Sequence, residues 1–328
     1  MMLQFWGSKL LQYILVLVFT LALNFSLPRM MPGSPMQLLA GEDVGLLSQQ
    51  EREEIMARHG LDQPIWRQFT IYLGQLAKGD LGYSYRQRRP VGVIIGERLP
   101  WTLLLTGSAL ALSAFIGVIC GTLAAWRRGR FSDLGTLSLF IFLDSMPSFW
   151  LGMILVALFG ARLRWFPVFG AQSPFAGYTG WTAMVDVLYH LALPLTTLTL
   201  VTIAGLFLTM RYSTLDALGE QYITVARAKG MPEGHIVFRH VLRNAFLPVI
   251  TVFMLSLGFV VGGATVVETV FAWPGLGRLM FEAVLQRDYP VLQATFMMVT
   301  VCVIAANLAA DLLYPLADPR VRVEGRRF

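Results

Sequence analysis

The sequence is poor in lysine, histidine, cysteine and charge, and each shortage removes a class of function. Its only lysines, Lys9, Lys78 and Lys229, are followed by Leu, Gly and Gly. A phosphate loop needs a lysine followed by Ser or Thr, to reach the phosphates and magnesium, so the chain has no such ATP site. The histidines, His59, His190, His235 and His240, form no H-E-x-x-H pattern, and no G-x-S-x-G occurs. Asp144 and Asp311 lie in or near apolar runs, but nothing in the sequence brings them together as an acid pair. Cys120 and Cys302 are far apart inside apolar runs and read as small buried hydrophobes, neither disulfide nor metal pair. No catalytic and no metal-ligating residue is therefore assigned. Only 14% of the 328 residues are charged while 55% are hydrophobic, which excludes an ordinary soluble domain.

What is present is apolar sequence bunched into runs long enough to cross a hydrocarbon core of roughly 30 Å. Six spans are expected: Leu10 to Leu27, Thr102 to Trp126, Leu134 to Ala161, Leu191 to Met210, Phe246 to Phe271 and Val291 to Leu316. Pro147 falls inside the third and Pro194 near the start of the fourth, which a packed bundle tolerates. The first run lacks a convincing A-x-A-type cleavage site and reads as a retained helix, a short signal-anchor being the alternative. The fold expected is an all-α, polytopic membrane bundle.

The net charge of +6 is explained by topology better than by nucleic acid. With the N-terminus inside, Lys9, Arg127, Arg128, Arg130, Arg211, Arg227, Lys229, Arg239, Arg243 and the arginines at 320, 322, 326 and 327 all lie in the cytoplasm, and the short outer loops hold only Arg162, Arg164, Arg278 and Arg287. That is the positive-inside bias, with both termini inside. The chain divides into an N-terminal segment and first span (1–28), a long outer segment (29–101), a five-helix core (102–316) carrying an inner hairpin (211–245), and a basic tail (317–328). In the outer segment, Ser48 to Glu51 has a capping-box pattern and starts a helix to Arg58, stopped by His59 and Gly60. Ile65, Phe69, Tyr72, Leu73 and Leu76 then recur at helical spacing, for packing on the bundle or lying on the membrane.

The inner segment reads as two helices. Leu215, Leu218, Tyr222 and Ala226 share one face of a piece that ends near Gly230. Pro232 and Glu233 suit the start of a second, whose apolar side is Ile236, Val237, His240 and Val241. Small residues Ala226, Ala228 and Gly230 alternate with Arg227 and Lys229 at the tip. That tip could enter a cleft in a soluble partner, or rest on anionic lipid. Asp144, beside Ser145 and Pro147, is costly in a span unless hydrated or paired, so it is expected to face the bundle interior, either along a solute pathway or bonded to a neighbouring helix. Trp273 and Tyr289, in the outer loop from Glu268 to Pro290, read as interfacial anchors. Gly117-x-x-x-Gly121 and Gly258-x-x-x-Gly262 allow close helix approach.

The stretch Tyr222-Ile223-Thr224-Val225-Ala226-Arg227-Ala228-Lys229-Gly230, followed by Arg239-His240-Val241-Leu242-Arg243-Asn244-Ala245-Phe246-Leu247-Pro248, resembles the EAA loop of ABC-importer permeases, and within them the peptide/nickel permease family. Gly79-Asp80-Leu81-Gly82-Tyr83-Ser84, Pro90-Val91, Arg98-Leu99-Pro100-Trp101-Thr102 and Ser145-Met146-Pro147-Ser148-Phe149-Trp150 are similar to the same family. So are Glu268, Phe271-Ala272-Trp273-Pro274-Gly275-Leu276-Gly277, Arg287-Asp288-Tyr289-Pro290 and Asp311 through Asp318-Pro319-Arg320. The resemblance covers essentially the whole chain. Thr224 and Val225 stand where many importers have Glu and Ala, and Ser34 where this family often has Asp.

The resemblance implies a type I ABC-importer permease in the cell inner membrane, with two separate ATPase subunits holding ATP and magnesium, a second homologous permease, and an extracytoplasmic solute-binding protein. Glu220, Tyr222, Thr224, Ala226 to Gly230, Arg239 and His240 are then the ATPase-coupling residues, and alternating access the mechanism. Trp273, Pro274, Gly275, Arg287, Asp288 and Tyr289 are candidates for binding-protein docking. The implied cargo is a di- or oligopeptide, with nickel or a metal chelate as the alternative; members also carry glutathione or sugars. An ion-coupled secondary transporter is the rival outside the family, disfavoured by the lack of visible inverted repeats.

Overall fold

A computed structural model of the chain describes residues 2–30, 63–259 and 264–317, with isolated positions between 45 and 56. The segment expected from Ser48 to Arg58 is described only at Ser48, which precedes the helix, and at Gln49, Gln50, Arg52, Glu53 and Met56, all helical. Its stop at His59 and Gly60, the segment around Ser34, Gly262 of the second small-residue pattern, and the tail from Asp318 lie outside the described residues.

The described residues are almost wholly helical, as the apolar runs require in lipid, where each backbone group must be satisfied within its own segment. They form α1 (Met2–Met30), α2 (Ile65–Ala77), α3 (Val91–Trp126), α4 (Phe131–Asp144), α5 (Ser148–Leu155), α6 (Trp181–Leu218), α7 (Gln221–Ala228), α8 (Glu233–His235), α9 (Leu242–Phe259), α10 (Thr265–Val270), α11 (Leu276–Gln286) and α12 (Tyr289–Ala317). Outside the helices lie an antiparallel pair, β1 (Tyr83–Ser84) with β2 (Arg89–Pro90), in register Tyr83 to Pro90, and an irregular loop over 163–180. Among the described residues five helices are long and apolar enough to cross a membrane, and up to six spans result if the bent pair formed by α4 and α5 counts as one.

That pair is the expected third span, broken where Pro147 falls. The run from Phe131 to Arg162 is bent by 103° at Ser145 to Pro147, because Pro147 has no N–H to give a helix and drives Met146 away from helical backbone angles. Pro147 itself is extended (φ −59°, ψ 133°) and starts α5, which widens into a π-helical turn over Val156–Arg162. Pro194, by contrast, sits inside an unbroken 38-residue α6. At 1.5 Å per residue α6 is about 57 Å long, nearly twice the hydrocarbon thickness.

The chain makes two compact units. In one, Met1–Thr102 with Pro274–Ile304, α2 packs on α1 through Phe25, Phe69 and Tyr72, with Phe25 and Phe69 edge to face at 5.0 Å. Arg29 Nη2 donates to Gln68 Oε1 at 3.0 Å. Packing on α1 is thus the outcome for this helix. Asn24 and Gln293 exchange side-chain and backbone hydrogen bonds between α1 and α12.

In the other unit, Leu103–Trp273 with Ala305–Phe328, α6 is the centre. Leu206 and Met210 meet Leu110, Ala245 and Val249 on one side, while Ile203, Ala204 and Phe207 meet Ala124 and Phe140 on another. Ser113 Oγ lies 2.5 Å from Thr202 Oγ1 and donates to the Thr199 carbonyl at 3.2 Å, a polar tie between α3 and α6 of the kind membrane bundles use. Gly117 and Gly121 let these helices touch: a Cβ on Gly121 would lie 2.7 Å from the Phe207 carbonyl oxygen.

Candidate functional site

The hairpin is sharper than its periodicity suggests. The face traced by Leu215, Leu218, Tyr222 and Ala226 belongs to two helices, because α6 stops at Leu218 on Gly219 and α7 starts afresh after an extended Glu220 (φ −72°, ψ 147°). α7 ends at Lys229 and Gly230, the latter at φ +78° with open space around its Cβ position, a conformation that costs an L-residue roughly 1–2 kcal/mol. Pro232, extended, opens α8, as expected. The chain then stays helical, through a π-helical turn at Ile236–Val241, into α9. The second leg of the hairpin therefore belongs to the same helical run, from Glu233, that carries the fifth apolar segment.

Ile223 and Ala226 of α7 face inward against Ala217, Ile236 and Val241, with Ile223 and Ile236 fully buried. Burying one such side chain is worth about 1.5–3 kcal/mol, so the short helix is fixed by packing rather than by its own length. Ala226 is accordingly a core residue, a correction to its placement at the presented tip. Arg227 is also committed: its Nε and Nη2 donate to Glu233 at 2.7 and 3.3 Å across the Gly230 turn, in an exposed pair worth less than about 1 kcal/mol. Asn244 Nδ2 donates to the Tyr222 hydroxyl at 2.8 Å. His240 is half buried beside the exposed His235, ring centroids 6.0 Å apart. What α7 offers outward is Tyr222, Thr224, Val225, Ala228, Lys229 and Gly230, all exposed, with Glu220 and Arg239 also exposed.

Asp144 is the last residue of α4, at the 103° break, with Ser145 and Pro147 in the break itself. All three are exposed on this chain, and among the described residues Asp144 has no hydrogen-bond or ion-pair partner. This corrects the expectation that Asp144 faces inward, and no bond to a neighbouring helix holds it. The bend carries the carboxylate to the chain's surface.

The six docking candidates do not gather in one unit. Trp273 is completely buried in the second, its N–H donating to the Glu268 carbonyl at 2.8 Å. It is a packing residue, neither an interfacial anchor nor a contact for a partner, because a ring of that size dominates any core that admits it. In the first unit Gly275, Asp288 and Tyr289 are also buried, Pro274 is half buried and only Arg287, with φ +54°, is exposed. Asp288 accepts from Ser84 Oγ at 2.5 Å and lies 3.5 Å from the Val291 N–H at the start of α12. Burial pushes its carboxyl above the ordinary carboxylate range against the opposing effect of the Ser84 bond. The pair ties the β1–β2 turn to the start of α12.

The pair that sequence reading overlooked is Asp133 with Arg211. Both are buried, and Arg211 Nε and Nη2 donate to Asp133 Oδ1 and Oδ2 at 2.8 and 3.0 Å. The Gly129 N–H donates to Oδ2 at 3.0 Å. The available signal was that each charge stands at the same end of its span, Arg211 just past the apolar run of α6 and Asp133 in the first turn of α4.

Two family models match the chain: Binding-protein-dependent transport system inner membrane component over residues 117–323, and Binding-prot-dependent transport system membrane comp, N-term over residues 2–106. Among curated relatives, the oligopeptide transport system permease protein AppB of Bacillus subtilis is 40% identical over 91% of this chain and 93% of its own length. The di/tripeptide transport system permease protein DppB of Pseudomonas aeruginosa is 37% identical over 92% and 93%. The glutathione transport system permease protein GsiC of Escherichia coli is 38% identical over 98% and 99%.

Proposed function

The chain belongs to the inner membrane components of binding-protein-dependent transport systems, and from that premise we propose that it carries small peptides into the cytoplasm with α7 as its contact to the motor. At the coarser level it is a permease subunit of an ABC importer in the inner membrane, not an enzyme, working with ATPase and binding-protein partners. Peptide cargo is supported by relatives named for oligopeptide, di/tripeptide and glutathione transport. The nickel alternative is not favoured by those names.

The observation that carries the mechanism is α7 itself. A helix of eight residues is too short to be stable alone, yet its inner face is locked between α6 and the helical run into α9, and its outer face is bare. A push on that face is delivered to two membrane helices at once. In the proposed cycle the N-terminus and hairpin lie in the cytoplasm, two ATPase subunits close on ATP beneath this chain and a second permease, and α6 and α9 tilt to alternate access. The exposed Asp144 at the α4–α5 break then lines the shared pathway, where its carboxylate favours the ammonium group of a peptide. Arg287 is the exposed residue among the docking candidates and the one proposed to meet the binding protein.

Gly230→Val tests the coupling. A β-branched residue at φ +78° opposes the turn at a cost of roughly 1–2 kcal/mol, while nothing lies within 4 Å of its Cβ position. The reconstituted importer should assemble but lose uptake and ATPase stimulation; full uptake with normal stimulation would overturn the assignment.

A further inference from the structure

The Asp133–Arg211 pair stands at a junction of three helices. Arg211 lies on α6 about two turns before Gly219, where α6 gives way to α7. Asp133 lies in the first turn of α4, whose other end is the Asp144 break. Both carboxylate oxygens are held by the Arg211 guanidinium, and the Gly129 N–H adds a third bond from the turn after α3. α3 closes the same joint sterically, since a Cβ on Gly121 would lie 3.0 Å from the Arg211 backbone nitrogen. The second leg of the hairpin also reaches α3, with Phe238 edge-on to Trp126 at 6.3 Å between centroids.

A bidentate, buried arginine-carboxylate pair fixes both distance and orientation, and α4 is a rigid rod of 14 residues, about 21 Å. The assembly ends on one side at the α6–α7 break at Gly219 and on the other at the break at Ser145 to Pro147. We propose that Asp133 and Arg211 are positioning residues for transport, forming the joint through which movement of α7 is carried into α4 and on to the break that presents Asp144. Without the pair, α6 still moves with the motor while α4 slips against it, so ATP is hydrolysed and the pathway is not reset. The inference rests on α7 being the motor contact.

The test uses the complete importer, with permeases, ATPases and binding protein, in liposomes, and a labelled dipeptide that the wild-type complex takes up. Uptake per ATP hydrolysed is read for Asp133→Asn, which keeps shape and loses charge, and Arg211→Lys, which keeps charge and loses the fork. For Asp133→Asn, binding-protein-stimulated hydrolysis should stay within about twofold of wild type while uptake per ATP falls by about tenfold, the size of a typical coupling between sites. Arg211→Lys should fall between. A purely structural role would lower uptake and hydrolysis by one common factor and leave the ratio unchanged, which overturns the inference. Should Asp133→Asn not assemble, the ratio in Arg211→Lys decides alone, a lowered value supporting the joint and an unchanged one refuting it. Val225→Arg, on the outer face of α7, should instead abolish stimulation; retained stimulation there refutes the motor contact itself, whatever the ratio in Asp133→Asn.

Discussion

Gly121→Ala adds one methyl group at the tightest point of the α3–α6 crossing. The new Cβ would meet the Phe207 carbonyl oxygen at 2.7 Å, Met210 Cβ at 2.9 Å and the Arg211 nitrogen at 3.0 Å, whereas unstrained contacts of this kind lie near 3.5–4.0 Å. Two of the three obstacles are backbone, so no rotamer change relieves them, and the helices must part by roughly 0.5–1 Å against their own packing. Overpacking of this kind costs about 1–3 kcal/mol. Gly205→Ala, on α6, is the internal control: nothing lies within 4 Å of its Cβ position, and Ala is favoured over Gly in a helix by up to about 1 kcal/mol. Thermal unfolding in detergent, followed by tryptophan fluorescence, should show Gly121→Ala melting roughly 2–6 °C lower, at about 2 °C per kcal/mol for a chain of this size, and Gly205→Ala unchanged or higher. Equal midpoints for the two variants would refute the close crossing.

Ile223→Ala empties the centre of the hairpin core and should cost about 2–5 kcal/mol of local stability; hydrogen exchange should rise in α7 while α3 keeps its protection. The Asp288 carboxyl titrates higher in the fold than in the unfolded chain, so its charge opposes folding. Stability of the first unit should therefore rise as pH falls from above that raised pKa towards the ordinary carboxylate value. Asp288→Asn should flatten this pH dependence of the melting midpoint, and an unchanged slope would show that another group is responsible.

The six apolar runs, the Pro232 start and the Gly230 turn were legible because each is a local property: run length, a missing N–H, an achiral residue. The break between α6 and α7 was not, since Tyr222 and Ala226 continue the helical face of Leu215 and Leu218 across Gly219 and periodicity alone does not see the stop. The 103° bend escaped for a related reason: an apolar run records that a segment belongs in lipid, not its direction, and a proline can either kink a helix or end it. Pro194 is carried inside one continuous helix, whereas Pro147 ends one. Burial of Trp273, Asp288 and Tyr289 is decided by which elements fold over them, and the resemblance that flagged them reported their place in a pattern rather than their exposure. Asp133 and Arg211 are 78 positions apart, and only the packing of α4 on α6 makes them one feature.

The outer face of α7 is the proposed binding surface for the motor. With Cys120 and Cys302 replaced by Ala, Val225→Cys places a single thiol on that face, where the parent side chain is 54% exposed. Labelling with a water-soluble maleimide should be rapid on the permease alone and suppressed when the ATPase subunits are added. Equal labelling rates with and without them would contradict the account.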